Sequence, residues 1–192
     1  MTRAFSHRVK RLSLIALALI PGILPLQCAT LERLSLDDMI TQSTGIVRGK
    51  VVSSSAAFSG PLIYTHYKIQ VSETLKGPGQ ATVDVAVPGG VANKLRQTVS
   101  GAPQFKVGDD FVFFLWTSKA GLTQVIGLTQ GLFSLAMDGT ADPMATRAAS
   151  RELMIERGTG QSVKDQTLVM RLSDLRSRIA STPGAAKQGT GK

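Results

Sequence analysis

Alternating apolar and polar positions dominate the middle of the chain. From 62 to 71 the odd positions are mainly apolar or aromatic, whereas even positions include His66, Lys68 and Gln70. Successive side chains of a strand point to opposite faces, so this alternation predicts a half-buried strand. Similar short segments predict further strands at 46–52, 82–87, 111–116, 123–128 and 131–137.

The segment Phe111–Trp116 is apolar at every position. Such a run predicts a central strand with cover on both faces. Gly49 interrupts the first strand, where it allows a sharp bend. The small residues of 53–61 predict a loop, and 91–110 reads as irregular with a strand near 95–99.

Two short helices flank the strands in the sequence. The first follows Ser35, a suitable N-cap, and has Asp37 and Asp38 in its first turn. Its apolar positions share one face: Leu36, Met39 and Ile40. The second spans 172–179.

Ser173 is the expected cap of this second helix, and Leu175 and Ile179 are expected to face inward. Between the two regions, 144–156 fits either a helix or a pair of strands, because its apolar stripe is weak.

Five or six short strands within about ninety residues are typical of a small barrel. The sequence therefore predicts a mainly β protein, with an OB-like barrel over 30–137 and a short N-terminal helix. Residues 138–180 form a C-terminal extension that carries the second helix. The Gly-, Ala-, Gln- and Lys-rich tail, 181–192, is predicted to be disordered.

The N-terminus has the pattern of a secretory signal peptide over 1–29. A basic segment, 1–11, precedes an apolar run, 12–26, which is short for a membrane span and broken by Pro21 and Pro25. Export to the periplasm or the medium follows, with no stable membrane span after processing. An uncleaved anchor is the alternative.

Cys28 is the sole cysteine and lies at the expected processing junction. The body of the exported chain therefore has no disulfide of its own. A lipid anchor on Cys28 is an alternative to simple cleavage after Cys28 or Ala29, although the residues before the cysteine match a lipoprotein signal poorly.

The formal net charge is +9, but the charges lie at the two ends. Residues 1–28 carry four bases and no acid, 29–146 carry nine of each, and 147–192 carry nine bases and four acids. Tyr64, Tyr67 and Trp116 could stack on nucleic-acid bases. The barrel segment is neutral, however, so the sequence predicts a solvated basic extension and no nucleic-acid partner.

Few residues offer catalytic or metal-binding chemistry. His66 is the one histidine beyond the leader, so a Ser-His-Asp triad would have to use it, and a His-rich metal site is excluded. Asp109 and Asp110 precede an apolar strand, where turn chemistry explains them. No catalytic, cofactor-binding or metal-binding residue is therefore assigned; an enzyme using Asp109, Asp110 or His66 stays as an alternative.

Several segments resemble the first half of a netrin-like domain, the OB-type barrel of the tissue inhibitors of metalloproteinases. They are Ile46–Val52, Ile63–Thr65, Tyr67–Ile69 and Leu75–Pro78, followed by Phe105–Leu115, which resembles a later strand. The chain also resembles a widespread class of uncharacterised exported bacterial proteins. The resemblance covers 36–137 and implies a five-stranded barrel with an associated helix.

The resemblance does not carry over protease inhibition. In those inhibitors a disulfide-bonded N-terminal cysteine reaches the protease zinc, whereas Cys28 has no partner cysteine and a linker separates it from the barrel. The resemblance therefore assigns no functional residue of those inhibitors to a position in this sequence.

The sequence thus favours an exported, non-catalytic binding module whose partner is a protein or another envelope component. Loops at 53–61 and 88–104 are the expected contact surfaces. A metalloprotease inhibitor or protease-associated module is the first alternative, and the enzyme is the second.

Overall fold

A computed structural model describes residues 30–183 of the chain. The predicted signal peptide, the roles of Cys28 and nearly all of the predicted disordered tail lie outside these residues. Within them, 49% of the chain is strand and 11% is helix, which confirms the prediction of a mainly β protein.

Strands and short helices follow one another along the described chain. Their bounds are β1 Thr30–Glu32, α1 Leu36–Gln42, β2 Gly45–Ser59, β3 Leu62–Lys76, β4 Thr82–Pro88, β5 Gly90–Ala92, β6 Leu95–Gln97, β7 Asp110–Thr117, β8 Thr123–Val125, β9 Leu132–Ala136, β10 Met144–Arg147, β11 Leu153–Ile155, β12 Ser162–Val163, β13 Leu168–Arg171 and α2 Leu172–Ser181.

The main sheet has eight antiparallel strands. Their order is β13-β10-β9-β7-β2-β3-β4, with β8 also paired to β7. No ladder joins β4 to β13 among residues 30–183, so the sheet is open. The predicted closure into a five- to six-stranded barrel is therefore not observed, because β10 and β13 add strands beyond β9.

The long hairpin of β2 and β3 corrects the prediction of a loop at 53–61. Its ladder runs from Ile46–Lys76 to Ser59–Leu62, with three shifts of register. The segment 53–59 is a strand whose small polar side chains lie outside both cores, so it lacks the alternation that marks a half-buried strand. Of the predicted loop, only Gly60 and Pro61 form a turn in the structure. Gly60 has φ 61°, a positive value that suits a two-residue hairpin turn.

Both faces of the main sheet are covered, and β7 lies at the centre. Its Val112 and Phe114 point into one core with α1 and α2, while Phe113 and Leu115 point into a second core closed by Phe105. This confirms that Phe111–Trp116 belongs to a central strand with cover on both sides.

The first helix has the predicted cap. The Ser35 hydroxyl accepts a hydrogen bond from the Asp38 backbone N–H at 3.1 Å, and the Asp38 carboxylate accepts one from the Ser35 N–H at 3.1 Å. The Ser35 hydroxyl also donates to the Asp38 carboxylate at 2.6 Å, and this hydrogen bond, more than that from the Ser35 N–H, holds the pKa of Asp38 below its ordinary value. Met39 and Ile40 are buried, as their shared face predicts.

Residues 138–180 contribute directly to the main sheet and its helix-side core. β10 and β13 pair beyond β9, and β11 pairs in parallel with β1, so the strand alternative for 144–156 is correct. Leu175 and Ile179 of α2 face inward as predicted. Ser173 is not the cap: Arg171 holds that position, and Ser173 donates instead to Asp142.

Candidate functional site

The two segments that the sequence offers as contact surfaces meet at one end of the sheet. We call this surface the hairpin end, defined by the tip of the β2–β3 hairpin (56–64) and by the β5–β6 hairpin (89–97). Gly90 packs on the tip: a Cβ placed on it would collide with Oγ1 of Thr65 and lie 3.1 Å from Cβ of Ala56. The Ile63 backbone N–H also donates to Oε1 of Gln97 at 2.6 Å.

Both hairpins of the hairpin end have tight two-residue turns. Gly60 and Pro61 connect Ser59 to Leu62 in one hairpin. In the other, Asn93 and Lys94 have φ 49° and 65°, the paired positive values of a type I′ turn. Each turn is thus fixed by its strands and projects the neighbouring side chains from a defined position.

Large apolar side chains are exposed next to both turns. The exposed fractions are 41% for Phe58, 42% for Leu62, 48% for Val91 and 61% for Leu95. Single exposed apolar residues are common on soluble proteins, but four on two adjoining hairpins form a patch that indicates an interaction surface.

The charges near the hairpin end are positive and lack carboxylate partners. Residues 49–108 carry six lysines or arginines but two acids, Glu73 and Asp84. Glu73 pairs with Arg176 at 2.7 Å, and Asp84 contacts His66. Lys94 and Arg96 form no ion pair within residues 30–183.

Several C-terminal arginines form ion pairs that the sequence did not predict, although four of their side chains stay 37–59% exposed, as expected for a solvated basic extension. Five of them form ion pairs, three with acids of the first half of the chain: Arg157 with Glu32, Arg176 with Glu73, Arg178 with Asp37, Arg171 with Asp138 and Arg147 with Asp165. Four of the nine acids of 29–146 are thereby paired with C-terminal arginines, whereas Asp84 and Asp110 contact His66 and Arg48.

Hydrogen bonds stabilise the charged form of one of these acids strongly. The side chains of Thr140 and Arg171 donate to Asp138 and lower its pKa to about 2. At Lys76 the surroundings disfavour the charged form instead. Burial lowers the pKa of Lys76, while its ammonium donates to the carbonyls of Ile40 and Thr41 at the end of α1.

The residues of the enzyme alternative do not meet. Asp109 accepts a hydrogen bond from the Lys106 N–H at 2.8 Å within its turn, and Asp110 pairs with Arg48 at 2.9 Å. Nδ1 of His66 lies 2.7 Å from Oδ1 of Asp84. His66 and Asp84 are on the neighbouring strands β3 and β4, and their side chains are 33% and 60% exposed.

The aromatic residues considered for base stacking are also divided. Tyr67 is buried under Phe105, with ring centroids 4.9 Å apart, while Tyr64 points to the other face of β3. Trp116 is exposed on β7. Tyr67 is therefore unavailable to a nucleic-acid base.

A cleft of about 240 Å³ lies behind the β5–β6 hairpin. Arg96, Gln97 and Gly90 line one side, and Tyr67 and Phe105 line the base. In residues 30–183 no cluster of His, Cys, Asp and Glu has the arrangement of a metal site. None of the helices in this range has the length and apolar character needed to cross a bilayer.

A scan against protein-family models and searches of curated proteins and of solved structures find no match to this chain. The site is therefore defined by its geometry. The sequence prediction of contact surfaces at 53–61 and 88–104 did not single out the exposed apolar residues within them. The signals were Phe58 and Leu62 on either side of Gly-Pro, and Val91 and Leu95 on either side of Asn-Lys.

We expect Gly90→Ala to displace the β5–β6 hairpin and to lower the free energy of unfolding by about 2–3 kcal/mol. Gly90 has φ 139°, and the added Cβ would collide with Thr65. Gly121→Ala is the matched control: its φ of 85° imposes strain, but no atom lies within 4 Å of the added Cβ. That variant should lose about 1 kcal/mol in the same urea titration. Equal losses would show that the close packing of Gly90 is not required.

Proposed function

We propose that the protein is an exported, non-catalytic binding module that contacts an envelope component through the hairpin end. The observation that carries this proposal is the convergence of exposed apolar side chains and unpaired cations on two rigid hairpins. Binding residues are commonly placed on turns held by a rigid scaffold. The basic and apolar leader over 1–29 supports export.

The dispersion of the reactive side chains supports a non-catalytic role. A nucleophile, its base and an orienting group must lie within hydrogen-bond reach of one another. Asp109 and Asp110 are each bound to a neighbour in a structural contact, and the His66–Asp84 pair lines none of the four clefts formed by 65–105, by 101–152, by 35–178 and by 44–123.

A relationship to the OB-type barrel is part of the proposal. It is supported by the three shifts of register between β2 and β3 and by the core that β2, β3, β4 and β7 form on one face of the sheet. At Gly49 a Cβ would lie 2.6 Å from the Gln70 carbonyl oxygen, so the two strands approach closely at a bend. The helix α1 beside the sheet agrees with the netrin-like arrangement.

Site-directed crosslinking in intact cells tests the binding surface. A photoreactive group at Leu95 should give a covalent adduct, while the same group at Val169, which is exposed on β13 at the far edge of the sheet, should give none. Adducts from both positions, or from neither, would contradict the proposal. An adduct with a zinc protease would instead favour the inhibitor alternative.

The same cells test export. N-terminal sequencing of the protein from the periplasm or the medium should begin at Ala29 or Thr30, directly after the predicted cleavage sites. A protein that begins at Met1 and stays in the cytoplasm would contradict the proposed location.

A further inference from the structure

We propose that the hairpin end docks on the surface of an anionic phospholipid bilayer, with its apolar side chains among the headgroups and its cations beside the phosphates. This inference rests on the proposed function and names its partner. It follows from three features of the two hairpins: where the apolar side chains lie, how the backbone is paired, and which charges are near.

The apolar side chains lie at projecting turns. Phe58 and Leu62 are each within two residues of the Gly60–Pro61 turn, and Leu95 is next to the Asn93–Lys94 turn. A protein partner would need a separate pocket for each projection. A fluid bilayer surface accommodates such projections without a preformed shape, and it gains the free energy of removing half-exposed apolar side chains from water.

The backbone of the tips is suited to a region poor in water. Strand pairing continues to Ser59–Leu62 in one hairpin and to Ala92–Leu95 in the other. Pro61 has no N–H to leave without a partner. Unpaired backbone groups oppose entry into lipid, so hairpins paired up to their turns carry a smaller penalty than open loops do.

The charge pattern complements an anionic surface. Lys94 lies in the turn itself and Arg96 follows Leu95 by one residue, while residues 53–66 and 88–104 contain no acid. A basic residue near an anionic bilayer contributes about a fivefold gain in affinity. Lys94 and Arg96 form no ion pair within residues 30–183, so both charges are available to an anionic surface.

Sedimentation with vesicles tests the inference. The protein is purified as cells produce it, and its N-terminus is sequenced. It is then mixed either with neutral vesicles of phosphatidylcholine or with anionic vesicles that contain roughly 30–40% phosphatidylglycerol. We expect binding to the anionic vesicles, weaker binding to the neutral ones, and loss of binding as salt rises to about 0.5 M.

Two double variants address the two parts of the surface. Phe58→Ser with Leu95→Ser should weaken vesicle binding by about a hundredfold, since each loses roughly tenfold. Lys94→Glu with Arg96→Glu should weaken it by about thirtyfold or more. Phe58 and Leu95 are exposed, and Lys94 and Arg96 form no ion pair within residues 30–183. The midpoint temperature of thermal unfolding should therefore change little in both variants.

Matched controls change the same chemistry elsewhere. Leu153→Ser with Val169→Ser removes exposed apolar side chains of β11 and β13. Lys119→Glu with Lys164→Glu reverses two charges elsewhere. Lys119 lies in the turn after β7, close to the start of β2 and so far from the tip of the β2–β3 hairpin. Both controls should bind vesicles as tightly as the unchanged protein does. If the protein instead binds through a retained leader, all four double variants should bind equally well.

The outcomes separate this inference from the proposed function. Equal binding by hairpin and control variants, or no binding to anionic vesicles, overturns the lipid proposal. A protein adduct from Leu95 without vesicle binding overturns it while the binding module stands. A third outcome assigns the surface to nucleic acid instead. In that outcome the protein binds a single-stranded oligonucleotide but not vesicles, and oligonucleotide binding is lost in the Lys94→Glu, Arg96→Glu variant but kept in the Phe58→Ser, Leu95→Ser variant.

Discussion

Arg147→Ala is expected to lower the free energy of unfolding by about 3–5 kcal/mol. The side chains of Arg147 and Asp165 are 3% and 2% exposed, and Nη2 of the arginine donates to Oδ1 of Asp165 at 2.7 Å. The same nitrogen donates to the Gln166 carbonyl at 2.5 Å. Removing the guanidinium leaves a buried carboxylate without its charge partner, which costs far more than the net contribution of the pair.

A double variant distinguishes loss of the partner from loss of the pair. Nε and Nη1 of Arg147 are buried and make no hydrogen bond to residues 30–183. Arg147→Met with Asp165→Asn keeps an acceptor for the Ser150 N–H and removes both charges. It should unfold at a higher urea concentration than Arg147→Ala. If the single and double variants lose the same stability, the buried charge of Asp165 is not the cause.

The pKa of Asp165 should respond to the same change. Burial raises this pKa, but the Ser150 N–H, Arg147 and the Gln166 N–H together outweigh burial and hold it below the ordinary value. Loss of Arg147 removes one of these three groups and leaves the effect of burial. The pKa of Asp165 in Arg147→Ala should therefore rise, as measured by the carboxyl chemical shift during an NMR pH titration.

Leu175→Ala in α2 is expected to destabilise the protein by about 2–5 kcal/mol. Leu175 is fully buried in the core that also contains Ile40 of α1 and Phe114 of β7. Truncation would leave a cavity between the helix and the sheet, because a core held by three elements can collapse only in part. Urea unfolding followed by circular dichroism measures the loss.

Ser177→Ala is the control within the same helix. Ser177 is exposed and its hydroxyl donates only to the Ser173 carbonyl of the preceding turn, so the change should stay within about 0.5 kcal/mol. A Leu175→Ala variant as stable as this control would mean that α2 does not pack on the sheet in solution.

The parts of the fold that burial dictates were predictable from local pattern. β7 reads as a central strand because Phe111–Trp116 is apolar on both faces, and the structure buries both. α1 was predicted from Ser35 and the acids after it, since capping is a local interaction. In these segments the periodicity of the sequence and the tertiary packing agree.

Prediction failed where tertiary contacts, rather than local pattern, decide the structure. Residues 53–59 belong to β2 because 62–68 pair with them, although no core selects their side chains. Ser173 did not become the cap because Asp142, 31 residues earlier, accepts its hydroxyl and its N–H. The Arg178–Asp37 pair joins residues 141 apart, a distance over which a single sequence gives no signal of pairing.

The candidate site was predictable in its location but not in its chemistry. Gly-Pro and Asn-Lys mark turns, and turns on a rigid scaffold are reasonable binding surfaces. The neutral sum of 29–146, however, concealed a separation of charge. Only the fold shows that Glu32, Asp37 and Glu73 pair with distant arginines, while Lys94 and Arg96 form no ion pair within residues 30–183.

The parallel pairing of β1 with β11 constrains the order in which the protein can fold. Thr30–Glu32 is the first described strand, yet its partner is Leu153–Ile155, so its ladder cannot form until most of the chain has emerged from the ribosome or a translocon. The ion pair between Arg178 and Asp37 forms equally late, because the two residues are 141 positions apart. The β2–β3 hairpin can form early, since its strands are adjacent in the sequence, whereas the contacts between the two ends of the described chain are completed last.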